Sequence, residues 1–264
     1  MGEVASDYFT YTPVRGAPET AAAVFLVVAL VIAYQIVRAR AARWMYILVG
    51  TAVAESVGYI LRIVCINHIR LGLYIAMILF LLLPPNALAL YNYKVVGEVV
   101  RRSNVRARRF WLKAKFITWF FFASDVFSFM LQSTGGSMMS HDSLQKTGKW
   151  ICIVGLAIQL VFLAVFVFVA IVVHRDPQYI VACGPRQVSE AVAKRRVMWT
   201  IHVTTALLYV RSVYRLIEFA DGYGGSIYKA EWAFYVFDFG AILLMFVMYI
   251  VFFLGHNFPR KTIV

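Results

Sequence analysis

The chain of 264 residues is 62% hydrophobic and only 15% charged, with a mean hydropathy of +0.74. A soluble domain carries about 25% charged residues, and here long apolar runs recur from end to end, so composition excludes both an ordinary soluble domain and a soluble domain held by one anchor. The net charge of +13 raises nucleic-acid binding as a question, which the placement of the charges answers below.

Residues 1–18 are mixed polar and aromatic, without a basic start, so no cleavable signal peptide is expected and the first span targets the chain. Seven apolar segments follow, at about 19–38, 44–66, 71–93, 111–134, 148–173, 197–220 and 229–255. Each has about the 20 residues a helix needs to cross the hydrocarbon core. The expectation is an all-α, seven-transmembrane-helix bundle over 19–256, an extracellular tail over 1–18 and a short cytosolic tail over 257–264.

The lysines and arginines orient this bundle. Of 26, 18 fall in the connections 38–43, 94–115 and 174–196 and in the C-terminal tail, and five fall on the opposite side. The positive-inside rule then puts the N-terminus outside and the C-terminus in the cytosol. The basic run 101–109, "RRSNVRARR", is a short loop between two spans. It reads as a topology determinant that touches anionic membrane lipids, not as a nucleic-acid patch.

The remaining cations, Arg62, Arg211 and Arg215, lie inside predicted spans. Intramembrane charge costs about 2.5–3.5 kcal/mol per residue on insertion scales, and such groups face the bundle interior and pair. Span 2 holds Glu55, Tyr59 and Arg62; span 4 holds Asp125, Ser128 and Gln132; span 6 holds Arg211, Arg215 and Glu218; span 7 holds Glu231, Tyr235 and Asp238. The spacing is i, i+3 or i+4, i+7 in every case, which puts each set on one helical face. Given the orientation, all four faces lie in the middle or outer half of the membrane, and together with Gln159 of span 5 they predict a paired-charge polar cavity open to the outside. The competing reading is that these pairs only pin helices together.

Pro84-Pro85-Asn86 in span 3 predicts a kink, a hinge or a static bend, with Asn86 a candidate partner for the carbonyls that proline frees. Gly135-Gly136 and the glycines of 222–225 read as outer-loop turns. The five histidines show no i, i+4 pair and no histidine–carboxylate motif, so no metal or other cofactor is expected. Cys65 and Cys152 are each candidates for an outer-face disulfide or for buried thiols.

Several stretches, taken in order, carry a family resemblance. Glu55-Ser-Val-Gly58-Tyr59-Ile-Leu-Arg62, Leu83-Pro84-Pro85-Asn86-Ala87 with Tyr91, Asp125-Val-Phe-Ser128-Phe-Met-Leu-Gln132-Ser-Thr-Gly135-Gly136, Gly155-Leu-Ala-Ile-Gln159, Arg211-Ser-Val-Tyr214-Arg215-Leu-Ile-Glu218-Phe219 and Glu231-Trp-Ala-Phe-Tyr235-Val-Phe-Asp238 resemble the motif series of the fungal lipid-translocating exporter family. That family includes resistance proteins for 7-aminocholesterol and for sphingoid long-chain bases, and a protoporphyrin-uptake protein. The resemblance implies a multi-pass plasma-membrane protein that moves, or protects against, amphiphilic lipids. Two departures stand out: Pro85-Asn86 beside the span 3 proline, and His256-Asn257-Phe258-Pro259 near the end.

The leading expectation is therefore a transporter of sphingoid-base or sterol-like lipids, not an enzyme, whose head-group site is built from Glu55, Tyr59, Arg62, Asp125, Gln132, Gln159, Arg211, Arg215, Glu218, Glu231, Tyr235 and Asp238, with Pro84 and Pro85 as a hinge. No phosphate-binding loop is present, so ATP does not drive it directly. A seven-helix lipid sensor or receptor shares the topology. An intramembrane lipid-modifying enzyme is a third reading, since clustered carboxylates permit acid–base chemistry.

Overall fold

The computed structural model describes residues 16–67, 71–103, 113–139, 142–180, 189–221 and 231–258. Six long helices come first: α1 (Ala17–Arg38), α2 (Tyr46–Asn67), α3 (Leu71–Arg102), α4 (Ala114–Met139), α5 (Gln145–Arg175) and α6 (Glu190–Asp221). The seventh span is assembled end to end from α7 (Glu231–Phe234), a π-helical segment (Tyr235–Gly240) and α8 (Ala241–Val251). No strand occurs among the described residues. Helices α1 to α5 are long and apolar enough to cross a membrane, and Tyr235–Val251 is a shorter apolar helix. Helix α6 is as long as α3, at 32 residues, but its buried arginines and glutamate lower its apolarity. The chain is a multi-pass membrane protein.

Local signals account for the first helix. Gly16 takes the left-handed φ of 96° ahead of Ala17, where a residue with a Cβ is strained. Proline follows in the first turn, where its missing N–H costs nothing, with Glu19 beside it and Arg38 in the last turn to match the helix dipole. Consecutive helices pack as antiparallel neighbours, and α8 closes the bundle against α1 and α6. Helix α3 is central, touching α2, α4, α5 and α6.

Helices α3 and α6 extend beyond the apolar runs, to Arg102 and from Glu190. Helix needs only satisfied backbone bonds, and local ion pairs extend it once lipid ends. Glu98, 3% exposed, accepts from Arg101 at 2.8 and 2.6 Å and from Arg102 at 2.8 Å. Arg102 also reaches the Asn257 carbonyl and lies over the Phe258 ring, tying the C-terminal segment to α3. Burial pushes the Glu98 carboxyl up, but the hydrogen bonds from the two arginines outweigh it, and the group titrates below its ordinary range. A depressed folded-state value contributes stability that is present above the unfolded carboxylate range and is lost as pH falls through the folded one. Wild-type protein should therefore lose thermal stability more steeply on acidification than Glu98→Gln, and equal slopes would contradict the clamp.

One sequence expectation changes here. Gly135 and Gly136 lie inside α4, not in an outer loop. A Cβ on Gly135 would sit 2.6 Å from Cys152 Sγ and 2.6 Å from the Gly148 carbonyl oxygen, so its size permits the close approach of α4 and α5. Glycines 222–225 lie outside the described residues. Cys65 and Cys152 are both buried free thiols, and Cys152 donates to the Gln132 carbonyl at 3.4 Å.

Candidate functional site

The charges of α6 and the π segment meet inside the bundle. Arg211 and Arg215 stand one turn apart on α6 and converge on Asp238. Arg211 Nε is 2.5 Å from Asp238 Oδ1, and Arg215 Nη2 is 2.6 Å from Asp238 Oδ2. Arg215 Nη1 also reaches Glu218 Oε2 at 3.0 Å, one turn along its own helix. The wide turn at Tyr235–Gly240 is the kind of local helix expansion that recurs at functional sites, and it delivers Asp238 to this position.

Arg211 has a second task that explains why an arginine is tolerated in the bundle. Pro85 has no N–H, so the carbonyl four residues earlier, Leu81, loses its helical partner. Arg211 Nη2 donates to that carbonyl at 3.3 Å. Asn86, the candidate for this role from sequence, donates instead to the Leu82 carbonyl at 3.4 Å. The proline pair is thus stapled to α6 by the same side chain that pairs with Asp238, and α3 remains helical through both prolines.

Glu55 of α2 faces this cluster, within electrostatic reach of Asp238, Arg211 and Arg215. It is 1% exposed, and neither carboxylate oxygen has a hydrogen-bond partner among the described residues. A buried polar group left unsatisfied costs about 1–3 kcal/mol, more if charged. Tyr59, one turn further, stacks on Phe25 at 5.8 Å and meets Phe239 edge-on at 5.9 Å. The Arg62 guanidinium lies 5.8 Å from the Tyr235 ring centroid and completes this wall. The Glu231 side chain lies outside the described residues.

The charge cluster is closed on itself among the described residues. Glu55, Arg211, Glu218 and Asp238 are all buried. Opposite charges that close on one another shed water and reduce the cost of burial, which is the stable arrangement when nothing else pairs with them.

The other site candidates lie elsewhere. Gln132 Nε2 donates to Gln159 Oε1, and Gln159 Nε2 to Asn86 Oδ1, each at 2.8 Å. This amide chain ties α4, α5 and α3 together, so Gln159 faces neighbouring helices. Asp125 is also separate: the group acting on it is Tyr93 of α3, not an arginine. Tyr93 follows Leu81 by about 18 Å along the helix.

Sequence reasoning passed over two further polar contacts. Asn92 of α3 donates to Thr204 at 3.2 Å and Thr205 at 3.1 Å, and accepts from the Tyr249 hydroxyl at 2.8 Å. That latch joins α3, α6 and α8 beneath the charge cluster. A lone asparagine between two tyrosines in an apolar helix was its only local signal. His174 Nδ1 and His202 Nε2 lie 3.1 Å apart across α5 and α6, a pairing that 28 residues of separation conceal. Among the described residues no group of three or more His, Cys, Asp or Glu is placed to hold a metal ion.

This arrangement can be set beside known proteins. The family described as RTA1 like protein matches residues 47–261, which include every described member of the charge cluster. Protein RTM1 of Saccharomyces cerevisiae is 32% identical over 221 residues, covering 80% of this chain and 67% of that one. Protoporphyrin uptake protein 1 of the same yeast is 31% identical, covering 75% of this chain and 65% of its own. Lipid-translocating exporter-like protein RTA1 of Leptosphaeria maculans is 27% identical, covering 82% and 42%. This chain thus spans about two thirds of the length of the first two and under half of the third. No solved structure matches it. The chain belongs to the RTA1-like protein family.

Proposed function

We propose that the protein translocates amphiphilic lipids of the sphingoid-base or sterol-like kind across the plasma membrane, without converting them chemically, and so confers resistance to them. The observation that carries this reading is the shared pairing at Asp238. Two arginines share one carboxylate there while a second buried carboxylate, Glu55, stands beside them with no hydrogen bond. A charged lipid head group has partners to exchange with at this point: it displaces Asp238 or pairs with Glu55 while its tail lies along apolar helix faces. Arg215 and Glu218 receive the head group as it arrives from the outer leaflet side or leaves toward it. The names of two relatives, one a lipid-translocating exporter-like protein and one a protoporphyrin uptake protein, agree with an amphiphilic cargo.

The direct cellular test is resistance. Cells expressing Arg215→Ala should become as sensitive to long-chain bases as cells lacking the protein, with normal amounts of the variant at the cell surface. Full resistance in a well-expressed Arg215→Ala strain would sink the proposal.

A further inference from the structure

Asp125 does not belong to the charge cluster and raises a separate question. It lies in the middle of α4, is 1% exposed, and neither carboxyl oxygen has a hydrogen bond or ion pair among the described residues. Ser128, one turn along the same face, is also buried with its hydroxyl unsatisfied. From α3, the titratable group facing Asp125 is Tyr93. Its hydroxyl is near enough to act on the carboxyl, and it forms no hydrogen bond of good geometry among the described residues. From α5, Phe166 packs against Phe121, one turn before Asp125 on α4, and against Tyr93. Tyr93, Phe121 and Phe166 pack as a triad with ring centroids 4.5, 5.4 and 5.5 Å apart. The site is therefore three buried polar groups without a well-formed hydrogen bond, next to a cluster of aromatic rings, and no cation pairs with them among the described residues.

An isolated carboxylate in such surroundings carries an effective penalty of several kcal/mol, and the uncharged acid avoids it. An asparagine would provide the same shape without an ionisable group, so a purely structural role does not call for aspartate. We infer that Asp125 is a proton-binding site, distinct from the head-group cluster, that holds a proton at rest and releases it when the aromatic triad parts toward the cytosol. On release the O–H bond breaks, its electron pair stays on the carboxylate, and the proton passes to a water molecule. The Tyr93 hydroxyl then donates to the carboxylate left behind. The inference rests on the proposed transport only in naming the proton as the co-transported species; the proton site itself stands or falls separately.

Infrared difference spectroscopy on the full chain in lipid nanodiscs tests the site. The wild-type spectrum at neutral pH should contain a protonated-carboxyl band that is missing from Asp125→Asn and shifted in Tyr93→Phe. An Asp125 that is ionised at neutral pH, with or without sodium present, overturns the inference. Should Asp125→Asn fail to fold, the Tyr93→Phe shift decides, and an unshifted band counts against the site. In proteoliposomes, wild-type protein should move a fluorescent long-chain base several-fold faster with a pH gradient than without, and Asp125→Asn should lose that difference. Absence of movement by wild-type protein with the band present defeats the transport proposal and leaves the proton site intact; movement without the band does the reverse.

Discussion

Asp238→Asn is expected to be the most destabilising single substitution in the bundle's polar interior. Asp238 satisfies two guanidinium groups at once, at 2.5 and 2.6 Å. Removing its charge takes from Arg211 and Arg215 the carboxylate they share, while Arg211 keeps the Leu81 carbonyl and Arg215 keeps Glu218. Breaking a buried pair by removing one partner costs about 3–5 kcal/mol, because the other charge stays buried without compensation. The damage should spread through Arg211 to α3, since the same side chain caps the carbonyl that Pro85 frees. Thermal unfolding in detergent should start several degrees lower, and less protein should reach the membrane. Wild-type stability in Asp238→Asn would mean that the cluster does not hold α3, α6 and the π segment together.

Glu55→Gln is expected to separate function from stability. The carboxyl group is buried and has no hydrogen bond among the described residues, so its replacement by an amide of the same shape breaks no hydrogen bond there. Stability should be unchanged or slightly higher. Head-group exchange, in contrast, loses its unengaged acceptor, and resistance to long-chain bases should fall toward that of cells without the protein. The opposite pattern, a clear loss of stability with resistance intact, would make Glu55 a structural residue and move the head-group site elsewhere.

The sequence and the structure agree where periodicity carries the information. The i, i+4, i+7 spacing of Arg211, Arg215 and Glu218 puts them on one face of α6, and two of the three meet Asp238. Periodicity assigns a face but not a neighbour. Asp125 has the same spacing signature, yet α4 turns it toward Tyr93 and away from the arginines. The partner of the Pro85-freed carbonyl sits 130 residues away on α6, whereas the local candidate, Asn86, is engaged elsewhere. The π segment was illegible because one extra residue per turn leaves no compositional trace. Gly135 misled for a related reason: glycine signals a turn and a close helix contact alike, and only the presence of Gly148 and Cys152 across the seam decides between them. The helix ends at Arg102 and Glu190 escaped because the apolar run marks the extent of lipid, not the extent of helix.

The central claim is that the outer charge cluster hands amphiphilic lipids across the bilayer, and leaflet movement in a defined membrane tests it most directly. Purified full-length protein in liposomes, given a fluorescent long-chain base on one side, should raise the rate of transfer to the opposite leaflet well above that of empty liposomes. Arg215→Ala, reconstituted to the same density, should return it to the empty-liposome rate. Equal transfer by wild-type protein, Arg215→Ala and empty liposomes would contradict the account.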